Sequence, residues 1–178
     1  MSPENITVGK ATPDDVDAIA QFNIAMAAET EDLALDPSTV RAGVAGVLND
    51  TDRGFYLVAR SEGDLVGSLM ITYEWSDWRN GNLWWIQSVY VVPSSRGQGI
   101  FRRLYEEVTA FAKDDEGVRG IRLYVEKDNH NAQQVYQRLG MSETAYRVFE
   151  AYSDSSAVEI IAILRLDHES TCPYWHRP

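Results

Sequence analysis

The chain has 178 residues, of which 44% are hydrophobic and 24% charged, a composition typical of one globular domain, residues 1–178. Its formal net charge of −11 disfavours nucleic acid and anionic membranes as partners and suits a cationic small molecule, although an acidic surface kept for solubility is the simpler explanation. One cysteine and three scattered histidines exclude an internal disulfide and indicate no metal site. With an N-terminus unlike a signal peptide, they predict a cytoplasmic protein.

The predicted elements begin with a strand at residues 6–11 and two helices. A capping residue followed by a proline predicts the start of each helix (Thr12-Pro13 and Asp36-Pro37). Two strand-like runs joined by Ser-Glu-Gly-Asp predict a hairpin, and "LWWIQSVYVV" predicts a third antiparallel strand. An amphipathic helix, a strand in "GIRLYVEK" and a short helix capped by Asn129 follow.

Two closing strands are predicted at residues 141–152 and 157–166, and the apolar run in the second one favours a homodimer. The order of elements predicts an α/β (α+β) fold: a mixed, mostly antiparallel twisted sheet of about seven strands, flanked by four helices, with one right-handed crossover.

The stretch "RGQGIF" lies between the predicted strand "LWWIQSVYVV" and the amphipathic helix. Its glycines suit a tight structural turn. They equally suit a phosphate cradle, because the free N–H groups of Gly97 to Phe101 and the helix dipole would point at one spot. Arg96, Arg102 and Arg103 add positive charge in an otherwise acidic chain. The residues alone leave both explanations open.

Longer segments around this loop, "VYVVPSSRGQGIFRRLYEEV" and "LYVEKDNHNAQQVYQRLGM", resemble the two central motifs of the GNAT superfamily of acetyl-CoA-dependent N-acetyltransferases. The coenzyme loop of that family has Arg or Gln, two residues, Gly, one residue, then Gly or Ala. Arg96, Gly99 and Phe101 occupy those places, and Phe101 is bulky where the family has a small residue. The second motif is matched by Asn129, Ala132, Tyr136, Leu139, Gly140 and Met141.

The resemblance implies a GNAT-like fold and a site for acetyl-CoA without a metal. A backbone N–H near Val89 would face the thioester oxygen, and Tyr136 would protonate the coenzyme A thiolate; a core tyrosine is the alternative that the residues themselves suggest. The implied coenzyme-binding residues are Val89, Tyr90, Val91, Arg96, Gly97, Gln98, Gly99, Ile100, Phe101, Arg102, Asn129 and Tyr136.

The base that accepts the proton of the amine is less directly implied. Where many members of the family carry a glutamate, this sequence has Trp85, with Gln87 two residues on, and neither side chain takes a proton. We predict Glu74 as the base. Asp77 and water are the alternatives, and both acids are also suited to capping turns.

An acceptor pocket formed by the first two helices, their connection and the hairpin end is also implied by the resemblance. Carboxylates beside aromatic rings suit a cationic amine, and the same exposed tryptophans suit a dimer interface. We therefore predict direct acetyl transfer to a small, cationic primary amine in a ternary complex. A peptide or protein N-acetyltransferase and a non-catalytic acyl-CoA-binding sensor are the alternatives. The expected acceptor residues are Glu29, Glu31, Trp75, Asp77, Trp85 and Gln87.

Overall fold

The computed structural model describes residues 6–149, and the chain divides into two compact units, residues 1–140 and 141–178. The first unit contains a five-stranded sheet, and the four predicted helices are confirmed. In chain order the elements are β1 (Ile6–Lys10), α1 (Val16–Glu31), α2 (Pro37–Leu48), β2 (Phe55–Ser61), β3 (Asp64–Ser76), β4 (Gly81–Val91), α3 (Ile100–Asp114), β5 (Val118–Arg122) and α4 (His130–Arg138).

The helix starts follow from local capping chemistry. The Asp36 carboxylate accepts a hydrogen bond from the backbone N–H of Thr39 at 2.8 Å, with Pro37 at the first helical position, so the predicted start of α2 is confirmed. The segment after Thr12 first forms a 3-10 turn, Pro13–Asp15, and α1 begins behind it.

The strands are ordered β1-β2-β3-β4-β5; the first four are antiparallel, and β5 is parallel to β4. The predicted β2–β3 hairpin is confirmed, with Glu62 and Gly63 both at positive φ, as a two-residue turn requires. Within residues 6–149 the predicted mixed, mostly antiparallel sheet is confirmed, with five strands rather than about seven. Residues 141–149 form no strand, and the predicted strand at 157–166 lies outside the described residues.

Helices cover both faces of the sheet. On one face α3 buries Leu104 and Val108 against a core that includes Leu57, Ile71 and Ile86. On the other face α1 and α2 bury a second cluster: Ile19, Ala20, Val44, Tyr56 and Val58. Burial of such side chains contributes about 1.5–3 kcal/mol each. None of the helices within residues 6–149 is long and apolar enough to cross a membrane.

Candidate functional site

The two parallel strands at the centre of the site separate along their length. β4 pairs with β5 only from Asn82 to Trp85, although β4 continues to Val91. Within residues 6–149, the part of β4 from 86 to 91 therefore has no strand partner on that side. Backbone N–H and C=O groups without a strand partner need another hydrogen-bond partner, which an extended ligand that carries amides could supply. The predicted residues at 89–91 lie on it.

A β-bulge interrupts β4 on the same stretch. Between the pairs Ser68–Tyr90 and Met70–Gln87, β3 contributes one residue and β4 contributes two. One of the two, Ser88, has a φ of 49°, a left-handed conformation that is uncommon for a residue other than glycine. Bulges redirect backbone groups and are frequent beside active sites. The backbone at 88–89 is thereby turned out of the regular pleat next to the open edge.

The glycine loop at the start of α3 has the geometry of an anion cradle. Gly97 and Gly99 have φ values of 76° and 77°, and a Cβ on either residue would meet nothing within 4 Å. The first bond of the helix runs from Arg103 N–H to the Gly99 carbonyl oxygen, at 3.1 Å. The backbone N–H groups of residues 100–102 consequently have no acceptor in the helix. The backbone N–H groups of residues 97–99 also have no acceptor within the described chain. This arrangement favours a phosphate ligand.

Arg96 connects this loop to α1. Its Nε donates to the Val91 carbonyl oxygen at 2.9 Å and its Nη2 to Glu29 Oε2 at 2.6 Å, while the Tyr90 hydroxyl donates to Glu29 Oε1 at 2.9 Å. We call Glu29, Tyr90 and Arg96 the α1–loop clasp. Hydrogen bonds, the larger effect from Arg96 and the smaller from Tyr90, hold the pKa of Glu29 below its usual value. Burial raises the pKa of Tyr90. The structure thus places Glu29, a predicted acceptor residue, against the predicted coenzyme loop.

Tyr136 on α4 lies against the first turn of α3. Its ring is 5.6 Å from the ring of Phe101, centroid to centroid, in an edge-to-face arrangement, which is a favourable geometry for aromatic pairs. Burial raises the pKa of Tyr136, so the phenol keeps its proton at neutral pH, as a proton donor must. The bulky residue at 101 therefore packs against the predicted acid. Asn129 caps α4 by accepting from Ala132 N–H at 3.0 Å, as predicted.

The remaining loop side chains are engaged locally. Gln98 Nε2 donates to the Ser94 carbonyl oxygen at 3.0 Å, and Arg102 forms an ion pair of 2.8 Å with Glu106. Arg102 also lines a groove of about 580 Å³ between α3 and α4, together with Lys113 and Arg138. Three cations and the Glu106 carboxylate line this groove, and the net positive charge suits the negatively charged end of a nucleotide.

Glu74 lies away from the bulge. Its carboxylate forms an ion pair of 3.1 Å with Arg122 and accepts a hydrogen bond from Trp85 Nε1. It pairs with Leu83, five residues before Ser88 on β4, which corresponds to about 16 Å along a strand. The structure therefore does not bring the predicted base next to the bulge.

A row of polar side chains runs from Glu74 toward the bulge on the same face of the sheet. Thr72 pairs with Trp85, and Gln87 Nε2 donates to Thr72 Oγ1. Gln87 Oε1 accepts from the Tyr124 hydroxyl at 3.2 Å. Trp85 and Gln87, both predicted acceptor residues, belong to this row, which ends beside Ser88.

The hairpin residues Trp75 and Asp77 lie at the far end of β3 and β4. Trp75 is 62% exposed, and the Asp77 carboxylate accepts from the N–H of Trp78 at 2.8 Å. This contact is the turn-capping role that the sequence offered as an alternative. The structure does not place either residue near the bulge.

A cleft of about 440 Å³ lies between α1, α2, the segment joining them and the sheet, and it reaches Ser88. Of the six predicted acceptor residues, Glu31 alone lines it. Most of its surface is apolar, and the apolar side chains that line it include Met26, Leu33, Leu35, Val40, Val44, Val47 and Met70.

The polar groups at one side of this cleft were not predicted from the sequence. Asn23 Nδ2 donates to the Tyr56 hydroxyl at 3.4 Å, and Tyr56 is also hydrogen-bonded to Ser88, while burial raises its pKa. The Asn23 Oδ1 atom is buried and has no hydrogen-bond partner within residues 6–149. These residues come from a helix and two strands, so no local spacing in the sequence marks them.

Known proteins resemble the chain in sequence and in structure. Residues 20–141 match the sequence model of the acetyltransferase (GNAT) family. The crystal structure of a possible acetyltransferase from Clostridium difficile 630 is 44% identical, covers 84% of this chain and 98% of its own, and superposes with a TM-score of 0.79.

Two curated relatives match over shorter parts of their own length. Thialysine N-epsilon-acetyltransferase of Bos taurus is 32% identical over 79 residues, 44% of this chain and 45% of that protein. Mycothiol acetyltransferase of Actinosynnema mirum is 30% identical over 142 residues, 79% of this chain and 46% of that protein. The matched regions span less than half the length of these two relatives. Because the family model covers more than half of the sequence, the chain belongs to the acetyltransferase (GNAT) family.

Proposed function

We propose that the protein transfers the acetyl group of acetyl-CoA to the primary amine of a small cationic molecule, directly and within a ternary complex. The observation that carries the proposal is the open edge of β4. It begins where β5 leaves the sheet, contains the bulge at Ser88, and leads into the loop whose N–H groups lack acceptors. Membership of the GNAT family supports it.

The residues present fit acetyl-CoA. Backbone groups of residues 86–91 would pair with the pantetheine amides, and the N–H groups of 97–102 would hold the pyrophosphate at the start of α3. The space that a Cβ would fill at Gly97 and Gly99 is open, which leaves room for a phosphate close to the backbone. When bound, acetyl-CoA supplies an acetyl group already activated as a thioester.

The transfer forms a C–N bond and breaks a C–S bond. The amine enters as an ammonium ion, so its nitrogen loses two protons: one is matched by the proton that the sulfur gains, and the other is taken by the base and released to solvent. Tyr136 is the proposed donor to the sulfur, since its raised pKa keeps the phenol protonated. The backbone N–H at Val89, the second bulged residue, would polarise the thioester carbonyl. Glu74 is the proposed acceptor of the proton from the amine. Because Glu74 lies far from the bulge, the proton would have to reach it through water molecules along the row of Thr72 and Gln87.

Release of free thiol from acetyl-CoA tests the function, measured over a panel of amines and basic peptides with product mass determined for each. We expect small primary amines to be acetylated. In double-reciprocal plots of initial velocity the lines should intersect, since both substrates must be bound together. Parallel lines would indicate a covalent enzyme intermediate and contradict direct transfer. Acetylation of peptides alone would support the protein N-acetyltransferase. Coenzyme binding without turnover would support the sensor.

A homodimer and a cytoplasmic location stay predictions. The dimer prediction depends on the two predicted closing strands. Residues 141–149 of the first form no strand, and the second, at 157–166, lies outside the described residues. Light scattering at micromolar concentration tests the dimer, and a monomeric mass would contradict it. Cell fractionation tests the location.

A further inference from the structure

We propose that the acceptor is a primary amine on an apolar carbon skeleton, and that Asn23 Oδ1 accepts a hydrogen bond from its nitrogen. This inference rests on the proposed acetyl transfer and defines the substrate class of that same site. Its basis is the cleft between α1 and α2, whose walls are apolar and whose side toward β4 carries the only polar cluster that we identify among the described lining residues, Asn23, Tyr56 and Ser88.

The size and lining of the cleft define the body of the ligand. A volume of about 440 Å³ is in the range of pockets that hold small molecules, about 300–1,000 Å³. Met26, Val44 and Val47 approach from the two helices, and Met70 lies on the sheet below. A carbon chain buried there gains the hydrophobic free energy of about 0.8 kcal/mol per methylene, whereas a second ammonium group would find no buried carboxylate among the described lining residues.

The orientation of the ligand follows from the polar cluster. A buried carbonyl oxygen without a hydrogen-bond donor is unfavourable by about 1–3 kcal/mol, and Asn23 Oδ1 is such an atom within residues 6–149. Its amide nitrogen already donates to Tyr56. The oxygen of the side chain therefore stays available to accept a hydrogen bond from an N–H or O–H group of a ligand. Ser88, the bulged residue of β4, is hydrogen-bonded to the same tyrosine. An amine held there lies next to the backbone that would polarise the thioester.

Glu31 is the carboxylate that lines the cleft, and it distinguishes the proposal from a pocket for polyamines. The residue is exposed to solvent, and an exposed ion pair contributes only about 0–1 kcal/mol. It can attract the cationic amine from solution without offering a buried partner to a second charge. An apolar monoamine should therefore be a better acceptor than a diamine of the same length.

A homologous series of amines tests the substrate class. We expect kcat/KM for linear alkylamines to rise about fourfold per methylene from propylamine until the cleft is filled, as burial of 0.8 kcal/mol per methylene implies. Hexylamine and 1,6-diaminohexane form the matched pair, since they differ in one terminal ammonium. We expect hexylamine to be at least about tenfold better. A diamine as good as or better than hexylamine, or a flat series, would overturn the proposal.

Two glycines on α2 provide matched variants. A Cβ at Gly43 or at Gly46 meets nothing within 4 Å, and Gly43 lines the cleft whereas Gly46 does not. We expect Gly43→Leu to lower kcat/KM for hexylamine at least about tenfold and that for propylamine much less, since the added side chain occupies space used by the longer ligand. Gly46→Leu should behave as the unmodified protein. Equal effects of both variants, or of Gly43→Leu on both amines, would contradict the placement.

Asn23→Leu tests the polar contact, with Asn23→Asp, which keeps an acceptor oxygen, as its partner. We expect the leucine variant to lose about tenfold to 100-fold in kcat/KM for hexylamine, and the aspartate variant to retain more of it. Unchanged kinetics in Asn23→Leu would overturn the contact. If no amine releases thiol, the proposed function fails; calorimetric binding of hexylamine to the coenzyme-bound protein, with Gly43→Leu as control, then decides the cleft separately.

Discussion

The open loop before α3 makes a quantitative prediction for Gly99→Val. At a φ of 77°, any side chain strains the backbone by about 1–2 kcal/mol, which lowers Tm by about 2–8 °C in a protein of this size. The added atoms also occupy the space left for the pyrophosphate. Loss of one or two charge-assisted hydrogen bonds, at about 1.5–3 kcal/mol each, weakens acetyl-CoA binding about 100-fold.

Thermal unfolding with and without acetyl-CoA separates these two effects. At 100 times its Kd, the coenzyme stabilises the native protein by about 2.7 kcal/mol, a rise in Tm of about 5–11 °C. At the same concentration the variant gains only about 0.4 kcal/mol, a rise of about 1 °C. Gly63→Val is the matched control, because Gly63 has a φ of 97° and an equally open Cβ position in the β2–β3 turn. It should lose stability and keep the full coenzyme shift. An undiminished shift in Gly99→Val would refute the cradle.

Three further predictions concern single side chains. Tyr136→Phe keeps the contact with Phe101, so acetyl-CoA affinity by calorimetry should be unchanged while kcat falls about 10- to 1000-fold; full turnover would make the tyrosine a packing residue. Glu74→Gln should reduce turnover strongly at pH 7 and less at pH 9.5, where more of the amine is neutral. An equal loss of turnover at both pH values would indicate that Glu74 holds Arg122 in place instead of accepting the proton. Hydrogen bonds from Ser38 and then Thr39 lower the pKa of Asp36 to about 2, so the stability lost in Asp36→Ala should be constant above about pH 5 and shrink as the pH falls toward 2, measured by denaturant unfolding at each pH.

Features that depend on neighbouring residues could be predicted from the sequence. The start of α2 follows from Asp36 and Pro37, and the β2–β3 turn follows from Glu62 and Gly63, because cap and turn chemistry act over two to four residues. The turn before α3 was recognisable for the same reason. Its glycines, Gly97 and Gly99, are two positions apart and need no distant partner to adopt positive φ.

Features that depend on pairing across the fold could not be predicted in this way. Serine carries no signal for a left-handed conformation, so the bulge at Ser88 becomes evident only from the register of β3 and β4. Glu29 and Arg96 are 67 positions apart, and their ion pair depends on how α1 crosses the sheet. For the same reason the acids near the end of α1 suggested a charged pocket, whereas the cleft that forms beside them is mostly apolar.

The α1–loop clasp has a thermodynamic consequence for the proposed binding of two ligands. One helix carries Asn23 and Met26 into the proposed acceptor cleft and, one to two turns later, contacts the predicted coenzyme loop through Glu29 and Arg96. If either ligand shifts α1, the free energy of that shift enters the binding of the other, and the two affinities must change by the same factor. The size of that factor is the coupling free energy of the helix. It can be measured from either side, by titrating coenzyme with and without amine or amine with and without coenzyme.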